Sequence, residues 1–333
     1  MNVPMSNMVD VQGFLGEVER ALEGVLKEGT RPAEQGETLV AAARHLCLGA
    51  GKRARPMLVR LFGLVVGTRP GPLLDAAVAT ELIHSASLLH DDVVDAGMFR
   101  RGRPTVNARW GNIVAVFSGD LLLVSAMRKL TAHDPRLLAS AVDVVEEMTR
   151  GAIAEVEARG DLALPLAQLR YIHEAKTGAL FGWGGKAAAL LAGDERAAAR
   201  FDAFGRRLGI AFPIADDIRD IAGTDEGKPQ YADVQSRTPS LPILIAAQGD
   251  ESLRRKLRDA WAFSALSPEK VKELGNAVAA SGALETASRM VEEETAAALA
   301  ALGPGARDSE AGAELVSWAE RLAASVLVQK GAA

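Results

Sequence analysis

A single cysteine, Cys47, in 333 residues excludes an internal disulfide and any cysteine-based zinc site. It fits a reducing cytosol, in which a lone thiol most often serves as a small buried hydrophobe. Histidine is scarce as well. The five histidines (His45, His84, His90, His133, His173) show no ligand spacing beyond the neighbours His90 and Asp91, which argues against zinc or di-iron chemistry. No run of 18 apolar residues occurs, so no membrane span is expected. The start, MNVPMSNMVDVQGFLGEVER, lacks the basic opening and apolar core of an export signal, and the expectation is a cytoplasmic protein. Net charge is −5 with no Lys/Arg-rich block, so nucleic acid and anionic membrane surfaces are not expected partners. Alternating strand patterns and a repeat of fixed period are also missing.

What remains is helical periodicity over almost the whole chain. With 48% hydrophobic and 24% charged residues, the chain can bury a large core. Three-and-four spacing of apolar residues predicts helices over 8–28, 36–48, 55–67, 72–95, 111–131, 135–159, 166–192, 196–222, 240–249, 251–262, 268–281, 283–302 and 309–329. Gly, Pro and Asp punctuate the pattern at 67–72, 100–105 and 223–239 without forming a linker. The expected fold is therefore all-α and single-domain over 1–333, with residues 1–10 as a disordered N-terminus.

Two copies of Asp-Asp-x-x-Asp stand out: Asp91, Asp92 and Asp95 in LLHDDVVD, and Asp216, Asp217 and Asp220 in IADDIRD. By chance one such motif arises in roughly 5–10% of chains this long and two in under about 1%. Each follows an apolar helical stretch, so its first and last Asp lie one turn apart on one face. An acidic cluster is usually a solvated face, but carboxylates stacked beside an apolar stripe are costly unless neutralised. Hard oxygen ligands so arranged suit Mg²⁺, which takes one or two carboxylates and completes its octahedron with waters and phosphate oxygens.

Basic residues cluster near these motifs. GAGKRARP places Lys52, Arg53 and Arg55 at a helix start, where donors, charge and dipole favour a phosphate, although most basic triplets are solvated surface. Arg100 and Arg101 follow the first motif and can balance it or grip a second anion bidentately. Lys176 and Thr177 lie in a helix, and Lys228 follows the second motif. His84 sits two turns before Asp91; a lone histidine on an apolar stripe is usually a core residue, and a nearby diphosphate would change that balance.

GAGKRARP, ELIHSASLLHDDVVD, RRGRPTVN, WGN, SGDLLL, YIHEAKTGALF, DDIRD and GK, in that order, resemble the trans-isoprenyl diphosphate synthases, the polyprenyl synthetase family. The likeness spans roughly residues 15 to 330 and is nearest the long-chain branch, since only two residues separate Asp92 from Asp95. It implies an isoprenoid synthase helical bundle with a central active-site cavity, packed as a homodimer. It also implies an allylic diphosphate held by about three Mg²⁺ between Asp91/Asp95 and Asp216/Asp220, a leaving group steadied by Arg100, Lys176 and Lys228, and isopentenyl diphosphate bound by Lys52, Arg55, His84 and Arg101. Thr177 and the Lys176 carbonyl would stabilise the allylic cation by their dipoles, and the released diphosphate would take the final proton.

A growing product would run down the first-motif helix, one turn of about 5.4 Å per isoprene unit. Ala86 and Ser87, one turn below Asp91, are small where short-chain relatives often place an aromatic plug; Ile83 lies a turn further, and Leu123 or Met127 would form the floor. The expected product is C20 or longer. Three positions depart from the family pattern: Pro213 stands in place of a Gln and should kink its helix, Thr238 in place of a Lys, and Ala152 in place of a Glu. Arg219 can pair with Asp216, and Arg219 or Arg237 is expected to supply the charge missing at 238. Two other readings stay open, a terpene cyclase and a non-catalytic prenyl-diphosphate-binding subunit. The second Asp-Asp-x-x-Asp and GAGKRARP oppose the first; intact motifs oppose the second.

Overall fold

A computed structural model of the chain describes residues 11–28, 36–49, 51, 53–223, 230–263 and 266–327. The expected disordered segment 1–10, together with Lys52 and Lys228, lies outside the described residues. In chain order the helices are α1 (Val11–Glu28), α2 (Glu37–Cys47), α3 (Ala54–Val66), α4 (Pro70–Val94), α5 (Val106–Trp110), α6 (Asn112–Leu130), α7 (Pro135–Glu157) and α8 (Leu166–His173). A π-turn (Glu174–Gly178) then leads into α9 (Ala179–Ala192), α10 (Glu195–Ala222), α11 (Ala232–Ser236), α12 (Leu241–Gly249) and α13 (Glu251–Trp261). The last four are α14 (Pro268–Ala279), α15 (Ala283–Leu302), α16 (Pro304–Arg307) and α17 (Glu310–Leu327). Among the described residues, strand is confined to β1 (Phe99–Arg100) paired antiparallel with β2 (Arg103–Pro104). No helix among them is long and apolar enough to cross a membrane.

The chain groups into two compact units. The first comprises Met1–Val145, Trp183–Asp202 and Pro304–Leu315. In it α4 packs along α6 and against α3 and α1, because α4 buries nearly its whole circumference, from Leu73 through Leu82 and Ile83 to Leu89. Phe62, Leu122, Trp183 and Phe201 complete this core, with Trp183 Nε1 donating to Ser140 Oγ at 3.0 Å. Cys47 is buried here and its thiol is pushed up to about 12, chiefly by burial.

The second unit comprises Glu146–Gly182, Ala203–Gly303 and Val316–Ala333. Its core joins Ile221, Val234, Ile243, Leu253, Leu257, Trp261, Leu274 and Val278, contributed by α10 to α14. Asp250 caps α13 by accepting from the amides of Ser252 and Leu253 at 2.7 and 3.2 Å. α10 continues through Pro213, whose missing N–H leaves the Gly209 carbonyl without its usual donor.

Candidate active site

In the first unit the aspartate motif closes α4, with Asp95 as its C-cap (φ −88°, ψ −1°). Three carboxylates at the negative end of a 25-residue helix repel both one another and the helix dipole. Arg100 offsets part of that charge: its Nε and Nη2 donate to Asp92 Oδ1 at 2.9 and 2.8 Å. Asp92 is buried and its Oδ2 has no hydrogen-bond partner. The turn between motif and hairpin is held by Asn107 Nδ2, donating to the carbonyls of Asp92 (3.2 Å) and Gly97 (3.0 Å), and by Thr105 Oγ1, donating to Gly97 O at 2.6 Å.

His84 is half-buried on α4. Burial first, then the guanidinium groups of Arg55, Arg101, Arg100 and Arg53, holds its imidazole well below the ordinary histidine pKa, so it is neutral and can donate one N–H. Arg101, crowded by Arg100, is itself lowered by burial. Arg53, by contrast, is turned inward: it donates to Glu19 (2.6 Å), Glu81 (2.5 Å) and Cys47 O (2.6 Å). Arg53 therefore anchors the start of α3, at whose second position Arg55 stands. His90, which neighbours the motif in sequence, contacts Val116 O at 3.2 Å and Asp120 at 3.6 Å. Ile83 and Ala86 are fully buried on α4, Ser87 is half-buried and donates to His84 O at 2.8 Å, and Leu123 and Met127 are half-buried on α6.

In the second unit the other motif occupies the C-terminal turns of α10, again at a negative helix end. Asp216 is paired with Arg219, as the sequence suggested, and Arg219 Nη1 also donates to Ser325 Oγ of α17 at 3.2 Å. Arg237 instead donates to Phe263 O at 2.6 Å. Asp217 Oδ2 accepts from Leu241 N at 3.0 Å and lies 3.9 Å from His173 Nε2. Burial first and Asp233 second, with Asp216 and Asp220 adding to them, raise the Asp217 carboxyl well above the ordinary range, against the opposing pull of the Leu241 amide. Both oxygens of Asp220 cap α11, accepting from Ala232 N (2.9 Å) and Asp233 N (3.1 Å).

Lys176 and Thr177 lie in the π-turn, a motif that widens the helix and is frequent at functional sites. Lys176 is ion-paired with Glu155 of α7. Glu155, His173, Lys176, Thr177, Asp217 and Ser240 line a cavity of about 90 Å³. Pro213 and Thr238, two of the positions that depart from the family pattern, border the same cavity. Burial and then Lys176 push His173 down to about 4, so it is neutral.

Among the described residues no three His, Cys, Asp or Glu side chains converge as a ready-made metal cluster. Arg100, Arg219 and backbone amides engage Asp92, Asp216, Asp217 and Asp220. The donor set nevertheless fits Mg²⁺. Each motif gathers hard oxygens at a negative helix end, one buried carboxylate oxygen lacks a partner, and Asp217 sits in surplus negative charge. Sequence reasoning missed Glu155, His173, Asn107 and Thr105. Glu155 meets Lys176 across 21 residues of chain, which no local pattern announces; His173 stands one turn before Lys176, a spacing that could have drawn notice.

A helical protein with two aspartate-ended helices and an arginine-ringed histidine belongs with enzymes that handle diphosphates. Residues 36–278 match the polyprenyl synthetase family model. The chain is 33% identical over 276 residues to the farnesyl diphosphate synthase of Geobacillus stearothermophilus, covering 76% of this chain and 93% of that one. It is 35% identical over 260 residues to heptaprenyl diphosphate synthase component 2 of the same organism, covering 77% of each. A decaprenyl diphosphate synthase structure from Rhodobacter capsulatus superposes with a TM-score of 0.86 at 27% identity, covering 95% of this chain and 98% of that one. The architecture is the all-α isoprenoid synthase fold. The chain belongs to the polyprenyl synthetase family and is a trans-prenyltransferase.

Proposed function

We propose that the protein condenses isopentenyl diphosphate head to tail with an allylic diphosphate, in the presence of Mg²⁺, to give an all-trans prenyl diphosphate of C20 or longer. The observation that carries this reading is the pair of Asp-Asp-x-x-Asp motifs at the negative ends of α4 and α10, accompanied by a neutral histidine among four arginines. Relatives named as farnesyl, heptaprenyl and decaprenyl diphosphate synthases support the reaction and span shorter and longer products. They favour neither a cyclase nor a regulatory subunit. The longer range is supported by Ala86, a small buried residue one turn below Asp91, where a bulky side chain would block a growing tail.

Asp91, Asp92, Asp95, Asp216, Asp217 and Asp220 would ligate Mg²⁺, which supplies Lewis-acid charge to the leaving diphosphate. Arg100, Lys176 and Lys228 hold the allylic diphosphate. In the structure, Asp92 and Glu155 keep the first two of these cations in place, and phosphate oxygens would replace those partners. Lys52, Arg55, His84 and Arg101 hold isopentenyl diphosphate, His84 donating its single N–H. As the allylic C–O bond breaks, the Thr177 hydroxyl and the Lys176 carbonyl turn their dipoles toward the positive carbon. The alkene then forms the new C–C bond, and the released diphosphate takes the proton lost from the adjoining carbon. Buried apolar walls such as Ile83 and Ala86 exclude water from the growing chain.

The family resemblance supports a cytoplasmic homodimer in which residues 1–333 form one catalytic domain. An exposed apolar stripe on α6, Ile113 (74% exposed), Phe117 (57%) and Val124 (56%), supports the dimer, since such a stripe is costly in water. Replacing Asp91 or Asp216 with Asn tests the reading. Condensation should fall by about a thousandfold or more in each variant, and full activity in both would overturn it.

A further inference from the structure

The hairpin that carries Arg100 and Arg101 is fastened to α2 by contacts that no local sequence pattern discloses. Arg103 Nη2 donates to His45 Nδ1 at 2.8 Å, and His45 Nε2 donates to Pro104 O at 2.8 Å. A guanidinium only donates and a carbonyl only accepts, so this geometry demands the neutral ring with its proton on Nε2. The ring also stands edge-on against Trp110 (centroids 5.2 Å apart, planes at 75°), which Arg109 covers from 4.4 Å. Two glycines of GAGKRARP make room for the hairpin's arginines. A Cβ at Gly49 would lie 3.2 Å from Arg103 Nη1, and one at Gly51 would lie 2.7 Å from Arg101 Nη1. Arg103 pairs with Arg100 across the two strands, and Arg101 begins the turn between them in the left-handed region (φ 51°), so the seat of Arg103 sets the position of Arg101.

We propose that His45 is a positioning residue for the condensation: by seating Arg103 it fixes the turn at which Arg101 meets isopentenyl diphosphate, and so sets the affinity for that substrate alone. The inference rests on the assignment of Arg101 to isopentenyl diphosphate. Selectivity for one substrate follows from the two arginines' separate anchors. Arg100 is held independently by two bonds to Asp92, whereas the place of Arg101 depends on the turn.

His45→Phe keeps a ring against Trp110 and removes both nitrogens. It should raise KM for isopentenyl diphosphate by about five- to tenfold while kcat and the allylic KM stay within about twofold. Arg103→Gln should do the same, and the double variant should be no worse than either single one, since both remove one link. His45→Gln, able to accept and donate at once, should restore much of the loss. Equal movement of both KM values, additive losses in the double variant, or an unchanged KM for isopentenyl diphosphate in His45→Phe would overturn the proposal. Arg101→Gln separates the two levels. If it leaves that KM unchanged, the substrate assignment fails; if it raises KM while His45→Phe does not, only the role of His45 fails.

Discussion

Asp217 carries the conflict between stability and function most openly. Burial and three neighbouring aspartates raise its pKa, so between the ordinary carboxylate range and that raised value the folded protein holds a proton there that the unfolded chain has released. Above the ordinary carboxylate range this term therefore costs stability, and the cost grows as pH rises toward the folded pKa. Asp217→Asn removes the charge and leaves the packing. Without divalent metal it should melt at least about 2 °C higher than the wild type at neutral pH while losing activity, and Mg²⁺ should raise the melting temperature of the wild type more than that of the variant. Thermal unfolding with and without Mg²⁺ measures both. Arg219 is the other telling residue. It sits on Asp216 and Ser325, whereas Arg237 is spent on a backbone carbonyl, so Arg219→Gln should lower kcat/KM about three- to tenfold and Arg237→Gln should change it little. Unchanged turnover in both variants would show that neither arginine replaces the charge absent at Thr238.

At the scale of elements, the long helices were legible because each buries an apolar stripe at helical period, and their boundaries in the structure agree with the periodicity to within a few residues. What escaped was short or made by distant partners. Val106–Trp110 and Ala232–Ser236 span little more than a turn each, and their caps come from Thr105 and from the carboxylate of Asp220. The π-turn at Lys176 left no periodic trace either, since one widened turn barely shifts the hydrophobic phase. The aspartate motifs and the basic residues near them could be read directly, whereas Glu155, which pairs with Lys176, and His45, which seats Arg103, needed the fold. The π-turn also explains a small residue on α7. A Cβ at Gly151 would come within 2.7 Å of Ala175 Cβ and 2.9 Å of Lys176 N. Gly151→Ala should therefore destabilise the protein by about 1–3 kcal/mol in denaturant unfolding. It should also lower kcat through displacement of Lys176, with the KM for isopentenyl diphosphate unmoved.

For the molecule as a whole, two properties follow from surfaces and volumes. Phe117→Glu on the exposed α6 stripe should shift a dimer toward monomer in sedimentation velocity, because a charge replaces apolar area that pairing would bury. Ala86→Phe should shorten the product by one or more isoprene units, since a buried ring takes up the space of a growing tail. Both rest on the synthase reading, and that reading has one direct test. Purified protein is incubated with Mg²⁺, isopentenyl diphosphate and, in turn, dimethylallyl, geranyl, farnesyl or geranylgeranyl diphosphate, and the products are sized by mass spectrometry. The expected products are all-trans prenyl diphosphates of C20 or longer; products that stop at C15, a hydrocarbon, or tight binding without turnover would contradict the synthase reading.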